Sequence, residues 1–410
     1  MTHVTFSNVE TAFEHGSGAG TVISVDEFSI SDASHSCFNF AEDSVVTITN
    51  GTMDDCNSAG NADGAAIQNV AGSTAGSLYL ENVTIDDSLV NLINVDLADV
   101  WINNVTATAA SAQTGLVLNA TGGAAGSTLY VADFDAPDYS SGNIMSLSSI
   151  VFDDADLGDA DITIRPGGNV NTAGPSGVYA TFDNFTAGNL DMARMSPYMY
   201  YLEVDALTFG GNAPGADSIL GNNWDTEGIA FNGCGYSAVV DTVSTDYLAG
   251  SCSASNAPNS IVMSNVDVTY TGWQNAFYAR NTGISIGTAD VTMPASYQNM
   301  AYAGTNGRIV LVDVDQGSTD CDGSGACSWG SSSSGDIYFG DVATVNVYKD
   351  LGNGNKANQP GHTVQAAVVD ASSVELFVIG SHTTDSNGNA TVWVVTKKDD
   401  GTTYDDHNLN

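Results

Sequence analysis

The chain has 410 residues, 42% of them apolar and only 14% charged, and its 48 acidic against 8 basic side chains leave a formal net charge of −40. That apolar fraction excludes global disorder, and so negative a chain excludes nucleic acid, anionic membrane surfaces and uronic-acid polymers as partners unless metal ions bridge them. The charge suits a salty external medium, where screening over about 8 Å or less softens self-repulsion.

In chain order, the segment from Val4 enters a strand pattern at once, and its first residues do not read as a signal peptide. The expectation is a mature or excised portion of an exported precursor. "SLYLENVTIDD" (77–87), "DVWINNVTATAA" (99–110) and "NSIVMSNVDVTY" (259–270) share one order: apolar residues at alternate positions, then Asn or Asp, then an apolar residue. With that Asn or Asp as marker, the pattern falls at Asn8, Asn50, Asn82, Asn104, Asp133, Asn184, Asn265, Asp313 and Asp341. Counting degenerate copies such as "DITIRP", "YLEVDALTF" and "GISIGTADVTM", the spacing averages roughly 25 residues, the scale of a solenoid repeat. Period-two alternation, β-branched residues and Gly/Asn/Asp/Ser punctuation make the repeat strand rather than helix. A second short strand follows each marker, as in "AAIQNV", "LVNLINV", "TGLVLNA", "GNIMSLSS" and "NAFYARN". Alternation in "VWINN" places Val100, Ile102 and Asn104 on one face and Trp101 and Asn103 on the other. The expectation is a structural ladder of inward asparagines (Asn8, Asn50, Asn82, Asn104, Asn184, Asn265) bonding from one coil to the next.

These features resemble the right-handed parallel β-helix, the pectin-lyase-like fold, over about Val4 to Val342. The resemblance implies about 13 coils stacked about 4.8 Å apart, a rod on the order of 60 Å long. "VWINNV" stands where pectate lyases carry Asp-His, so architecture carries over and activity does not. From Ala343 onward the pattern changes to antiparallel strands and polar turns. Thr384, Asp385, Gly388 and Ala390, followed by a Val-rich strand, resemble the carboxypeptidase-regulatory-like and immunoglobulin-like modules found at the ends of cell-surface proteins, including large secreted proteins of marine archaea. The expected domains are a β-helix over 1–342 and a small antiparallel β-sandwich over 343–410, an all-β chain throughout.

Six cysteines fall into three local pairs, Cys37 with Cys56, Cys234 with Cys252 and Cys321 with Cys327, without zinc-type spacing. Three short-range disulfides and an oxidising, extracellular setting are the expectation; six scattered thiols are the alternative. No apolar run approaches the ~18 residues of a membrane span. "STDCDGSGACSW" sets Asp320, Asp322 and Ser324 at alternate positions before Gly325, the opening of a calcium loop, but its twelfth position is Ser331 rather than Glu. A disulfide-closed hairpin tip without metal is the competing reading.

Sequons occur at Asn50, Asn82, Asn104, Asn119, Asn184 and Asn389. With the ladder positions turned inward, Asn389 is the expected glycan acceptor, and Asn82 and Asn104 are expected bare. For catalysis, Arg165, Arg194, Arg280 and Arg308 share no spacing, and the carboxylate run Asp153, Asp154, Asp156, Asp159 and Asp161 reads as a solvated loop before it reads as an acid–base pair. The residues therefore point to a non-catalytic extracellular structural protein of a cell surface, acting as an adhesion rod or as a subunit of a filament. The alternative is a polysaccharide-binding or polysaccharide-degrading β-helix. The expected partners are a second copy in head-to-tail contact or the rest of a larger surface protein, with glycans possible; neither nucleic acid nor membrane insertion is expected, and calcium is the one candidate cofactor.

Overall fold

The computed structural model describes residues 1–15, 20–41, 43–69, 76–121, 127–145, 149–165, 179–193, 195–210, 217–252, 260–270, 275–293, 299–322, 327–369 and 375–399. Among them every regular element is a β-strand, and the pairing is mostly parallel. The chain packs as two units, Met1–Glu227 and Gly228–Asn410.

In the first unit two parallel runs alternate along the chain. One joins Thr2–Glu14, Val22–Phe40, Val45–Cys56, Ser77–Asp86, Asp99–Thr108, Thr128–Asp135, Ser149–Asp156, Tyr179–Ala193 and Ser196–Gly210, each in parallel with the next. The other joins the end of Val22–Phe40 to Ala65–Asn69, Asn91–Val95, Gln113–Thr121, Tyr139–Met145, Asp161–Arg165 and the end of Tyr179–Ala193. The second unit repeats the arrangement. Tyr236–Thr245, Ser260–Thr269, Gly283–Thr292, Arg308–Gln316 and Asp336–Asn346 form one run. Residues 229–231, Leu248–Ser251, Asn275–Arg280, Asn299–Ala303 and Trp329–Ser331 form the other.

Parallel register stacks like on like. Ile48, Leu80, Ile102, Val131, Phe152, Phe182 and Met199 follow one another in the core, all essentially inaccessible to solvent. Each such side chain contributes about 1.5–3 kcal/mol by leaving water. Where the column holds a large ring, its neighbour gives way: a Cβ on Gly51 would lie 2.2 Å from the Phe28 ring, so the glycine leaves room for the phenyl group.

The alternation does not run straight through the marker. Leu80 is buried, Glu81 and Asn82 are both exposed, and Val83 is buried again. The cause is backbone conformation. Asn82 has φ 55° and Asn104 φ 52°, the left-handed region, which rotates the chain by one position and restarts the alternation. The expectation of inward asparagines is overturned: Asn8, Asn50, Asn82, Asn104, Asn184 and Asn265 are all exposed at outward bends. Asparagine recurs there because its short side chain tolerates this conformation better than other non-glycine residues.

At the C-terminal end, Asp336–Asn346 pairs in parallel with Arg308–Gln316 and then antiparallel with Asn389–Lys398. It crosses the expected boundary at 342/343 without interruption. A second hydrophobic cluster gathers Val310, Val312, Tyr338, Ala366, Ile379, Ala390, Val392 and Trp393. Gly287 makes room for Trp393, whose ring lies 2.1 Å from where a Cβ would sit. Two hairpins, Tyr348–Gly352 with Asn355–Asn358 and Thr363–Val369 with Glu375–Thr383, complete this end.

Replacing Asn82 separates conformation from hydrogen bonding. Asn82→Gly keeps the left-handed bend and loses only side-chain bonds, a cost of about 1 kcal/mol. Asn82→Val adds the strain of a β-branched residue at positive φ and is expected to cost about 1–2 kcal/mol more. Denaturant melts of the two variants check the order; equal costs would show that the bend needs no special residue.

Candidate functional site

Three columns on the outer surface of the first unit concentrate the polar and aromatic groups that the fold does not bury. The first is the column of bends. Its register runs His3, Glu27, Asn50, Asn82, Asn104, Asp133, Asp154, Asn184 and Tyr201, every one at positive φ. Asn104 Nδ2 donates to Asn82 Oδ1 at 2.7 Å, Asn82 Nδ2 to Asn50 Oδ1 at 3.1 Å, and Asn50 Nδ2 to Asp26 Oδ1 at 2.8 Å. A carboxylate accepts but cannot donate, so Asp26 ends this chain of amides. The bonds from Asn50 and Thr49 hold the Asp26 carboxyl below its usual range. Asn184 donates to Asp154 in the same way, and in the second unit Asn265 donates to Asp241.

Asn8 belongs elsewhere. Its neighbours in register pair with Ser31 and Ala33, which puts Asn8 beside Asp32 in a second column of positive-φ residues that continues through Asp55 and Asp87. Here carboxylates occupy the places that amides fill in the first column. Burial, together with Asp54, Asp32 and Asp87, pushes the Asp55 carboxyl up, and Asp55 and Asp32 share a hydrogen bond.

The third column is aromatic. Tyr79, Trp101 and Tyr130 occupy the same outward position in successive strands. Their ring centroids lie 6.3 Å and 4.9 Å apart, tilted by 31° and 33°. Tyr79 keeps 39% and Trp101 43% of its surface exposed.

The other predicted positions scatter. Cys37–Cys56, Cys234–Cys252 and Cys321–Cys327 are disulfides, and no described cysteine is free. Asp320 sits in a two-residue antiparallel strand against Arg308–Gln316, and the Cys321 N–H donates to the Val314 carbonyl at 2.8 Å. Burial and the charges of Asp322, Asp315, Asp341 and Asp313 push the Asp320 carboxyl up. Ser324 and Gly325 lie outside the described residues. Among the described residues no three His, Cys, Asp or Glu side chains are grouped to hold a metal ion.

Asp153, Asp154, Asp156, Asp159 and Asp161 are all exposed, and Asp154 and Asp161 accept from Asn184 and Asn189. Arg165 is tied to Asp191 by an ion pair and to the Asp191 carbonyl at 2.9 Å. Arg308 is half-buried, and its desolvation pushes the guanidinium down; Arg194 lies outside the described residues. The Thr-Asp-x-x-Gly element is turn chemistry. Asp385 Oδ1 accepts the N–H groups of Asn387 and Asn389, Thr384 Oγ1 donates to the Gln359 carbonyl, and Gly388 has φ 76°. Asn389 is half-buried and its Oδ1 accepts from Asn346 Nδ2 at 3.0 Å.

Compared with protein-family models, with curated proteins and with solved structures, the chain has no significant match. No described element is a helix long and apolar enough to cross a membrane.

Two predictions follow from these columns and crosslinks. The raised Asp55 pKa means that the folded protein holds this proton more tightly than the unfolded chain. Its stabilising contribution is therefore present below the ordinary carboxyl value of 3.8 and is lost as pH rises through the raised folded value. Asp55→Asn replaces the repelling carboxylate with a donor to Asp32 and is expected to stabilise the protein at neutral pH by about 0.5–1 kcal/mol. The gain should vanish on acidification through the Asp55 titration, and thermal melts across pH measure it; an undiminished gain below the ordinary carboxyl value would break the argument.

The disulfides rank by loop length. Opening Cys37–Cys56, with separation 19, should cost about 3 kcal/mol and opening Cys321–Cys327, with separation 6, about 2 kcal/mol. Melts of the paired Cys→Ser variants check the order.

Proposed function

We propose that the two parallel runs are faces of a right-handed parallel β-helix of the pectin-lyase-like kind and that the C-terminal strands form an immunoglobulin-like or carboxypeptidase-regulatory-like module. On this reading the protein is an extracellular, non-catalytic structural component of a cell surface, an adhesion rod or a filament subunit. Disulfides form in oxidising compartments, which supports export. The expected acidic cluster spreads along the outside, where Asp154, Asp156 and Asp161 accept from Asn184, the Gly158 N–H and Asn189, local bonds that favour structure over catalysis.

One observation carries the reading. Val4, Phe6, Val9 and Phe13 of the first strand are half-exposed, while their partners in register, Phe28, Ile30, Ala33 and Phe38, are buried. Among the described residues this strand pairs with Val22–Phe40, and its apolar side chains are spaced for another parallel strand. A strand laid there, from a neighbouring copy or from a longer polypeptide, extends the sheet and the core together. A contact of this head-to-tail type that does not close on itself propagates as a filament.

Sedimentation and electron microscopy of the native material test it. With a net charge of −40 on each copy, end-to-end association should strengthen as ionic strength rises from about 0.05 to about 0.5 M. A compact monomer at every concentration and salt level, or release of reducing ends from a neutral polysaccharide, would sink the structural reading.

A further inference from the structure

The outward turn of the bend asparagines reverses the argument about where sugar can attach. Asn82-Val83-Thr84 and Asn104-Val105-Thr106 are sequons, and their Asn and Thr residues are all exposed while the valine between them is buried. The left-handed bend brings this about, because it leaves the asparagine outside and restarts the alternation on the next residue.

An independent observation lies three residues upstream of each sequon. Tyr79 precedes Asn82 and Trp101 precedes Asn104, on the same outer surface, and with Tyr130 they form the exposed aromatic column. The exposed Tyr79 and Trp101 rings and the half-buried Tyr130 ring stack in three successive strands and leave an apolar strip open to water. The apolar C–H face of a pyranose ring is a natural cover for such a column, since aromatic faces attract the positive edges of C–H bonds while the sugar hydroxyls stay in water. Asn50 heads a third sequon in the same column of bends, but Thr47 stands where the ring would be. Asn389, unlike Asn82 and Asn104, is half-buried.

We propose that Asn82 and Asn104 are N-glycosylation acceptors whose first sugars pack on the Tyr79–Trp101–Tyr130 column. The donor class is a lipid-linked oligosaccharide pyrophosphate. The asparagine Nδ2 forms a bond to the anomeric carbon, the bond from that carbon to the pyrophosphate oxygen breaks, the lipid pyrophosphate leaves with the electron pair, and the amide loses one proton. The amide ladder survives the modification. Each substituted Nδ2 keeps one hydrogen to donate, Asn104 to Asn82 and Asn82 to Asn50, and the Asn82 Oδ1 remains free to accept from Asn104. Adjacent strands are about 4.8 Å apart, so one oligosaccharide is broad enough to cover rings contributed by two or three of them.

This inference rests on the reading of the chain as exported, and the test separates the two. Intact-glycopeptide mass spectrometry of the protein taken from its native cells maps sugar to residues, and thiol labelling of the same sample without reduction reports the disulfides. The expected result is blocked thiols with Asn-linked sugar on the peptide containing Asn82 or Asn104. Thr84→Val and Thr106→Val, which keep a β-branched strand residue, should each remove the sugar from the neighbouring Asn alone. Blocked thiols with both peptides bare, or with sugar placed on Thr84 or Thr106 instead, overturn the acceptor assignment and leave export standing. Free thiols with both peptides bare overturn both.

Discussion

The parallel runs depend on one local event, a residue at positive φ recurring in strand after strand, and at Asn50, Asn82 and Asn104 its side chain meets the equivalent side chain of the next strand. A strand alone alternates with period two and has no means of shifting which residues face inward. One left-handed residue supplies that shift at a steric cost that asparagine bears most easily among residues with a Cβ. The amide then does a second task, because it both donates and accepts along the column. The run Asn104 to Asn82 to Asn50 is polar in direction, and it ends at Asp26, the acceptor-only group that such a run requires. Conformation and hydrogen bonding therefore select the same residue at the same place, which is the kind of agreement between levels that favours one register over a slipped one.

The acidic column shows what happens when only one of those two demands is met. Aspartate tolerates the bend at Asp32, Asp55 and Asp87, but stacked carboxylates repel and cannot bond to one another unless one holds a proton. The same conflict recurs at Asp320, crowded by Asp322, Asp315, Asp341 and Asp313. A chain of charge −40 accumulates such conflicts, and ionic strength relieves the longer-range part of them. The few cations near these surfaces act locally: Lys398 pairs with Asp336 at 2.6 Å and Arg165 with Asp191.

Much of the fold was legible because burial follows the alternation. Val100 and Ile102, read as inward, are buried, and Trp101, read as outward, is exposed. The disulfides were legible because each pair is close in sequence. The orientation of the asparagines was not, because period-two counting assumes a uniform backbone and cannot see one residue change the sign of φ. The signal was present all the same: in "LENV" and "INNV" two polar residues stand together between apolar ones, which strict alternation does not produce. Other members of the columns were hidden for a different reason. Tyr201, Thr242 and Thr288 adopt the same bend without an Asx side chain, held there by pairing on either side rather than by their own preference. The uneven spacing, 32 residues from Asn50 to Asn82 and 22 from Asn82 to Asn104, further blurred the repeat, because connections between strands vary in length while the strands keep register.

The candidate site was harder to foresee than the fold, since it is assembled only by register. Tyr79, Trp101 and Tyr130 lie more than 20 residues apart in sequence, and each alone is an ordinary surface aromatic residue. Parallel stacking converts them into a continuous surface, as it brings separate Asn-x-Thr sites into one line and separate aspartates into a repelling column. In such an architecture the chemically meaningful unit is the column rather than the segment. A substitution at one outward position therefore acts on the strand above and the strand below before it acts on its own neighbours in sequence, and couplings between mutations should follow register: Asn82 with Asn104 and Asn50, Trp101 with Tyr79 and Tyr130.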